Sequence, residues 1–383
     1  MKVLAVLDST DPRSGGPLQG LRSRAEAMAS MGGQFCAVTT DDPASRWLGE
    51  MPFRVVATGP ARSRFGYTPS MVDQLRREIQ LADAVVIHGL WQYHGVAARK
   101  VCREAGRRYA VFAHGMLDPW FRRRYPLKHL KKQVFWWAEQ HAILRDAHAV
   151  LFTSEEERRL ARGSFWPYTG INERVVAYGA RDPGPSSQSH RDAFLDLVPH
   201  MGERPYILFL GRLHEKKGPE ELVLAYLQMA EPIFDLVLAG PGDPGLIGRI
   251  ERLLSGHARQ RRVHLPGLVQ GPAKWGAFFG AQAFILPSHQ ENFGIAVAEA
   301  LACGTPVLIS DKVNIWREII GDAAGFAAPD TPAGTADLLD RWSRTSDSDR
   351  AAMRIAARKC FLSRFEVDQS SRDYLSLLEE LKP

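Results

Sequence analysis

Short apolar runs alternate with amphipathic stretches along most of this chain. In the first half, Lys2–Leu7, Gln34–Thr39, Phe53–Ala57, Ala84–His88, Tyr109–Ala113 and Ala149–Thr153 each have the length and composition of a strand. Amphipathic stretches such as Leu21–Met31 and Val72–Leu81 lie between them and read as helices. The second half repeats the scheme. Tyr206–Leu210 is followed by a helix over Pro219–Met229, then by strands at Asp235–Ala239, Arg262–Leu265, Ala283–Leu286 and Val307–Ser310. Strands alternating with helices predict βαβ units and parallel sheets. Arg181–His190 is rich in Pro, Gly and Ser and has no period, so it reads as a linker or the start of one. The expected fold is α/β, with two Rossmann-like doubly wound domains facing each other across a cleft. The expected divisions are a first domain over 1–183, a linker over 184–204, a second domain over 205–364 and an amphipathic segment over 365–383. Ligands of such sheets bind outside the carboxyl ends of the strands.

The chain has 383 residues, which suits two domains of ordinary size. A hydrophobic share of 45% and a charged share of 24% are those of a globular protein. The N-terminal run Met1–Asp8 is too short for a signal peptide, and no apolar stretch is long enough to span a membrane. Cys36, Cys102, Cys303 and Cys360 lack metal or redox spacing and read as reduced thiols of a cytosolic protein. The net charge of +6 favours an anionic partner without naming one. Much of the excess lies in 121–132, where six Lys or Arg stand among Phe121, Tyr125 and Leu127, and Phe135, Trp136 and Trp137 follow. Three readings fit this stretch: a solvated face whose aromatics pack inward, a surface for an anionic membrane, or a nucleic-acid patch.

The stretch Glu291-Asn-Phe-Gly-Ile-Ala-Val-Ala-Glu299 carries the densest chemistry. Glu291 precedes an Ala-rich helix and Glu299 lies inside it. Gly294 stands where the helix begins, and Gly304-Thr-Pro306 closes it before the next strand. An open helix N-terminus is an anion site, and a carboxylate beside it accepts hydrogen bonds from hydroxyls. Phosphate together with polyol points to a sugar nucleotide. A second motif, Gly211-Arg-Leu-His-Glu-Lys-Lys-Gly218, follows the strand Tyr206–Leu210. Arg212 suits bidentate binding of phosphate oxygens, and either Lys216 or Lys217 supplies a point charge.

These two motifs resemble the signature of retaining glycosyltransferases of the GT4 type, and the resemblance extends over nearly the whole chain. It implies the GT-B fold, with the last helix crossing back to the N-terminal domain. It also implies that Arg212 and Lys217, the lysine directly before Gly218, clamp the donor diphosphate together with backbone N–H groups around Asn292, Phe293, Gly294 and Ile295. Glu299 would then accept from ribose hydroxyls, and Glu291 would hold the donor sugar. Ser14-Gly15-Gly16-Pro17 occupies the first loop, where the family keeps glycines near the donor phosphate. Gly240, in Leu238-Ala-Gly-Pro-Gly242, permits close approach of a ligand. Leu265 and Gly267 lie in a segment like the one whose backbone reads the base.

His114, after the strand Tyr109–Ala113, matches the family's active-site histidine of the N-terminal domain. His114-Gly-Met-Leu-Asp-Pro-Trp120 resembles a bacterial subgroup that builds surface polysaccharides. Asp118 would either orient the acceptor or cap the next helix. His88, in His88-Gly-Leu-Trp91, resembles a cleft-lining segment of that subgroup.

The resemblance implies transfer from a nucleoside diphosphate sugar to a saccharide acceptor, with retention. The leaving phosphate would take the acceptor proton, since the family has no agreed nucleophile. The expected acceptor is a lipid-linked intermediate of exopolysaccharide or O-antigen synthesis. The expected site is cytoplasmic, peripheral on the inner face of the membrane through residues 121–137. No Asp-x-Asp motif stands where a metal would be needed, so no metal, no cofactor and no nucleic-acid partner are expected. The competing classes are an epimerase or hydrolase on the same fold, a non-catalytic binding protein and a nucleic-acid binder.

Overall fold

The computed structural model describes residues 1–12, 16–202 and 204–382. The chain forms two compact units, Met1–Gly179 with Val367–Pro383, and Ala180–Glu366. Each is built on one all-parallel sheet covered by helices.

The first sheet contains β1 (Lys2–Val6), β2 (Gln34–Thr39), β3 (Arg54–Ala57), β4 (Ala84–His88), β5 (Ala110–Phe112), β6 (Ala149–Phe152) and β7 (Glu173–Val175). Their order is β3-β2-β1-β4-β5-β6-β7, so the winding reverses between β1 and β4. β4, β5 and β6 are buried along their whole length, as strands covered on both faces must be. Leu4, Val6, Val85, Ile87, Val111 and Val150 pack with residues of the flanking helices into one core.

The second sheet contains β8 (Tyr206–Leu210), β9 (Asp235–Ala239), β10 (Val263–Gly267), β11 (Ala283–Leu286), β12 (Val307–Ser310) and β13 (Gly325–Ala328). Its order, β10-β9-β8-β11-β12-β13, reverses between β8 and β11. The switch point of such a sheet is where its ligands gather.

The strands lie where the hydrophobic pattern puts them, with ends moved by a residue or two. β7 and β13 were not foreseen. The segment 184–204, expected to be a linker, carries a helix over Gln188–Leu195. Ser187 caps that helix by accepting from the His190 N–H. The carbonyl of His190 sits so close to Gly276 that a Cβ there would collide with it, so the helix belongs to the body of the second unit. The terminal helix Val367–Glu379 belongs to the first unit. Its Tyr374 lies under the buried Arg24, whose guanidinium is 4.3 Å from the ring centroid. All four cysteines are free, and three of them are buried. Among the described residues no helix is long and apolar enough to cross a membrane.

Candidate functional site

In the second unit the predicted residues collect at the carboxyl edge, around the switch between β8 and β11. β8 runs out into Gly211 and the exposed Arg212. The chain then turns through Glu215–Lys217 to Gly218, which has φ +66° and starts the helix Pro219–Gln228. A side chain at Gly218 would press on the carbonyl of Pro287, just beyond β11. The turn after β8 is thereby held against the loop after β11, and the His289 N–H donates to the Lys216 carbonyl at 2.8 Å.

This contact joins the two motifs. Lys217 Nζ lies 2.7 Å from Glu291 Oε2, with both side chains about one-fifth exposed. Glu291 is itself anchored, because its N–H donates to Lys312 and its carbonyl accepts from the Asn314 N–H. Gly294, at φ +76°, opens the helix Ile295–Ala302, whose first N–H groups lack intrahelical partners. Asn292 Oδ1 meets Asn314 Nδ2 at 3.5 Å. The Phe293 ring is buried edge-on against Phe365, so this residue offers its backbone rather than its ring. Ile295 is half-buried in the first turn.

Glu299 is paired within the unit. Its Oε1 lies 2.8 Å from Lys274 Nζ, and Lys274 also sits 4.1 Å over the Trp275 ring. Sequence reasoning missed Lys274, which lies in a helix with no motif around it. Gly240 stands where β9 ends, and a Cβ there would collide with the Gly211 carbonyl, so the two strand exits touch through backbone alone. Leu265 is half-buried and Gly267 is exposed at the end of β10, and the Gly267 carbonyl accepts from the Gly240 N–H at 2.6 Å. Asp235 is buried under Arg262 and His264, which hold its carboxyl below its usual range against the opposing effect of burial.

The first unit gathers a different set at its own carboxyl edge. His114 follows β5 with φ +51°, a left-handed conformation that is rare outside glycine. As the match to the family's active-site histidine, it was expected to be able to donate to a sugar hydroxyl. Instead it is buried, with Nε2 3.0 Å from His88 Nδ1 and Nδ1 2.7 Å from the Tyr178 hydroxyl. Phe112, His114 and Tyr178 lie nearly parallel, and Arg24 packs over Phe112 and Tyr178. Burial, and then the Arg24 charge, push His114 down to about 3. Burial and the neighbouring His114, Arg24 and His94 hold His88 well below its usual value. Both rings are therefore neutral at pH 7.

The far nitrogen of His88, Nε2, is buried without a hydrogen-bond partner. His94 Nε2 faces the His88 carbonyl at 3.0 Å. Buried Glu157 accepts from the Gly115 and Thr153 N–H groups at 2.6 Å each and so fixes the His114 turn. Tyr178, Arg24, His94 and Glu157 stand in no recognisable motif and were missed. Asp118 Oδ1 accepts from the Trp120 N–H at 2.8 Å and caps the next turn. Ser14 and Gly15 lie outside the described residues, and Gly16 opens the helix Gly16–Ser30. Among the described residues no group of three or more His, Cys, Asp or Glu is placed to hold a metal.

The glycosyl transferases group 1 model matches residues 196–360, and the glycosyl transferase 4-like domain model matches residues 15–179. The D-inositol 3-phosphate glycosyltransferase of Xylanimonas cellulosilytica is 31% identical over 199 residues, which cover 51% of this chain and 47% of that one. The alpha-maltose-1-phosphate synthase of Mycolicibacterium smegmatis is 27% identical over 285 residues, 70% of this chain and 71% of that one. The chain spans about half the length of several of the curated relatives it matches. Among solved structures, Anabaena HepE in complex with UDP has a TM-score of 0.80 at 17% identity over the whole of both chains, a likeness of fold. With one such domain on each of its two parallel sheets, and the two carboxylates and the Gly-Arg-…-Lys-Gly turn meeting at the second, the chain belongs to the GT4-type glycosyltransferases of the GT-B fold.

Proposed function

We propose that this chain is a retaining glycosyltransferase that moves a sugar from a nucleoside diphosphate sugar to a saccharide acceptor. The observation that carries this reading is the Lys217–Glu291 ion pair at the switch point of the second sheet, where β8 runs out into the exposed Arg212. Arg212, Lys217 and the N–H groups of the Gly294 turn hold the diphosphate and stabilise it as it leaves, without a metal. Glu299, steadied by Lys274, accepts from the ribose hydroxyls. Glu291 accepts from the sugar hydroxyls and sets the anomeric carbon. The bond from that carbon to the phosphate oxygen breaks while the bond to the acceptor oxygen forms on the same face. The proton of the acceptor hydroxyl passes to the departing phosphate. His88, whose Nε2 has no partner among the described residues, stays neutral and orients the acceptor by hydrogen bonding, while His114 holds the His88 ring in place.

The acceptor in this reading is lipid-linked, an intermediate of surface polysaccharide assembly, and the protein is peripheral on the inner face of the membrane. Support comes from the helix Pro126–Phe135 and the turn after it. Leu127, Leu130, Val134 and Trp137 form a stripe at helical spacing that is 78%, 60%, 57% and 56% exposed. Trp166 extends the stripe, since its carbonyl accepts from the Trp137 ring N–H at 2.7 Å. No Asp or Glu lies between Asp118 and Glu139, so every residue of this segment that carries a full charge is basic. An apolar stripe in a basic segment matches an anionic bilayer surface.

Thermal melts with UDP, GDP, ADP and dTDP in EDTA, on wild type and Arg212→Ala, test the reading. A ligand at one hundred times its dissociation constant adds about 2.7 kcal/mol. One nucleotide should stabilise the wild type and fail to stabilise the mutant. No shift with any of the four would refute the transferase assignment.

A further inference from the structure

The inward face of the helix Pro126–Phe135 closes a cavity of about 60 Å³ against Met116 and Asp118 of the His114 loop. That is room for about two waters, the size of one tetrahedral oxyanion and well short of a sugar ring. Its charged lining is two lysines against one carboxylate, with a histidine between them. Lys128, His129 and Lys132 line it, and Asp118 is the one carboxylate among the lining residues. Asp118 already accepts from the Trp120 backbone.

Lys132 is half-buried, its Nζ 4.7 Å over the Trp91 ring and 5.5 Å from that of Phe121. Lys128 Nζ lies 4.7 Å over the Tyr125 ring. Among the described residues neither lysine makes an ion pair, and both lean on ring faces instead. His129 stacks on Phe165 with ring centroids 4.5 Å apart. Burial, followed by Lys128, lowers the Lys132 pKa, and burial, Arg122 and Lys132 lower that of His129. Like charges crowded together with part of their water removed are unfavourable unless an anion joins them. A carboxylate would neutralise only one charge, whereas a phosphate carries close to two and has three acceptor oxygens.

We propose that this cavity binds a phosphate group, with Lys128, His129 and Lys132 holding one phosphoryl group of an acceptor's phosphate or diphosphate beside the His114–Asp118 loop. As an acceptor site it rests on the transferase reading; as an anion site it does not. The phosphate belongs either to a lipid headgroup or to a soluble phosphate ester.

The probe is inorganic pyrophosphate in EDTA, one of whose phosphoryl groups can enter the cavity, titrated by calorimetry in an Arg212→Ala background that weakens the anion site of the second domain. Pyrophosphate should bind there, and Lys132→Met should weaken it about tenfold or more, the loss of a charged hydrogen bond. Lys132→Arg should retain it. Lys128→Gln, at an exposed position, gives the same test should Lys132→Met melt early. Binding that is indifferent to Lys132→Met and Lys128→Gln, or no binding at all, overturns the proposal.

Flotation on phosphatidylcholine vesicles with and without phosphatidic acid separates the sources. Flotation that needs phosphatidic acid and Lys132 identifies a lipid phosphate. Pyrophosphate binding with flotation indifferent to Lys132 identifies a soluble ester. Should nucleotides fail to bind while pyrophosphate still does, the anion site stands and its role as acceptor site falls.

Discussion

Lys217 Nζ and Glu291 Oε2 stand 2.7 Å apart although 74 residues separate them in the chain. Each side chain neutralises the other, so neither charge waits unpaired. In the proposed reaction Lys217 turns to the diphosphate and Glu291 to the sugar hydroxyls. The ion pair keeps both side chains at the switch point until a donor with both groups arrives.

This arrangement predicts a split between stability and binding. Both side chains are partly exposed, so Lys217→Met should lower stability by about 1 kcal/mol or less. Nucleotide affinity should fall about tenfold in the same variant, because a charged contact to phosphate is lost. Glu291→Gln should bind the nucleotide much as wild type does and lose turnover. Urea denaturation, calorimetry with the free nucleotide and initial rates read the three effects separately.

Gly240→Ala should unfold the second domain or destabilise it by about 3 kcal/mol or more. The added methyl would meet the Gly211 carbonyl where two strand exits touch. Gly256→Ala is the control. Gly256 has φ +74° with nothing within 4 Å of its Cβ position, so only the backbone penalty of about 1–2 kcal/mol applies. Equal losses in the two variants would contradict the close approach.

The buried histidines should make the first domain acid-sensitive. His114 is pushed down to about 3 and His94 to about 4 from an ordinary 6.5, in both cases chiefly by burial. A histidine depressed in the folded state stays neutral there while the unfolded chain takes up a proton. Stability is therefore full above the unfolded value and falls as the pH drops from about 6.5 toward the folded value. The slope is at most about 1.4 kcal/mol per pH unit for each such histidine. His114→Asn, which tolerates the left-handed backbone, should flatten the slope. Urea midpoints at about pH 7.5 and about pH 5 measure it, and an unchanged slope would count against the buried, neutral ring.

Leu130→Glu should leave the fold and the nucleotide affinity unchanged, since Leu130 is exposed and belongs to the first unit. It should lower partition onto anionic vesicles roughly tenfold or more, the equivalent of one buried leucine. Co-sedimentation measures this, and an unaltered partition would remove the stripe from the membrane proposal.

The sequence by itself determined most of the elements and the motifs that gather at the edge of the second sheet. Continuous apolar runs such as Ala283–Leu286 have the short length of strands buried on both faces, and their alternation with helices favours parallel sheets. Gly294 was legible as a helix start and Gly218 as the end of its motif, and the left-handed backbone at both explains why glycine stands there. Two strands escaped the pattern. β7, Glu-Arg-Val, is an edge strand too polar to stand out, and β13, Gly-Phe-Ala-Ala, has too little side chain. The helix Gln188–Leu195 was hidden because its Ser-rich approach reads as linker, although that serine is its cap.

Only the tertiary structure decided the partners: Lys217 for Glu291, Lys274 for Glu299, His88 and Tyr178 for His114, Trp166 beside Trp137. It also placed His114, read as the match to the family's active-site histidine, in a buried cluster with His88 and Tyr178. Periodicity and turn chemistry act over a few residues and are written locally. Which side chains meet depends on strand order and on how distant loops pack, and no local pattern encodes that.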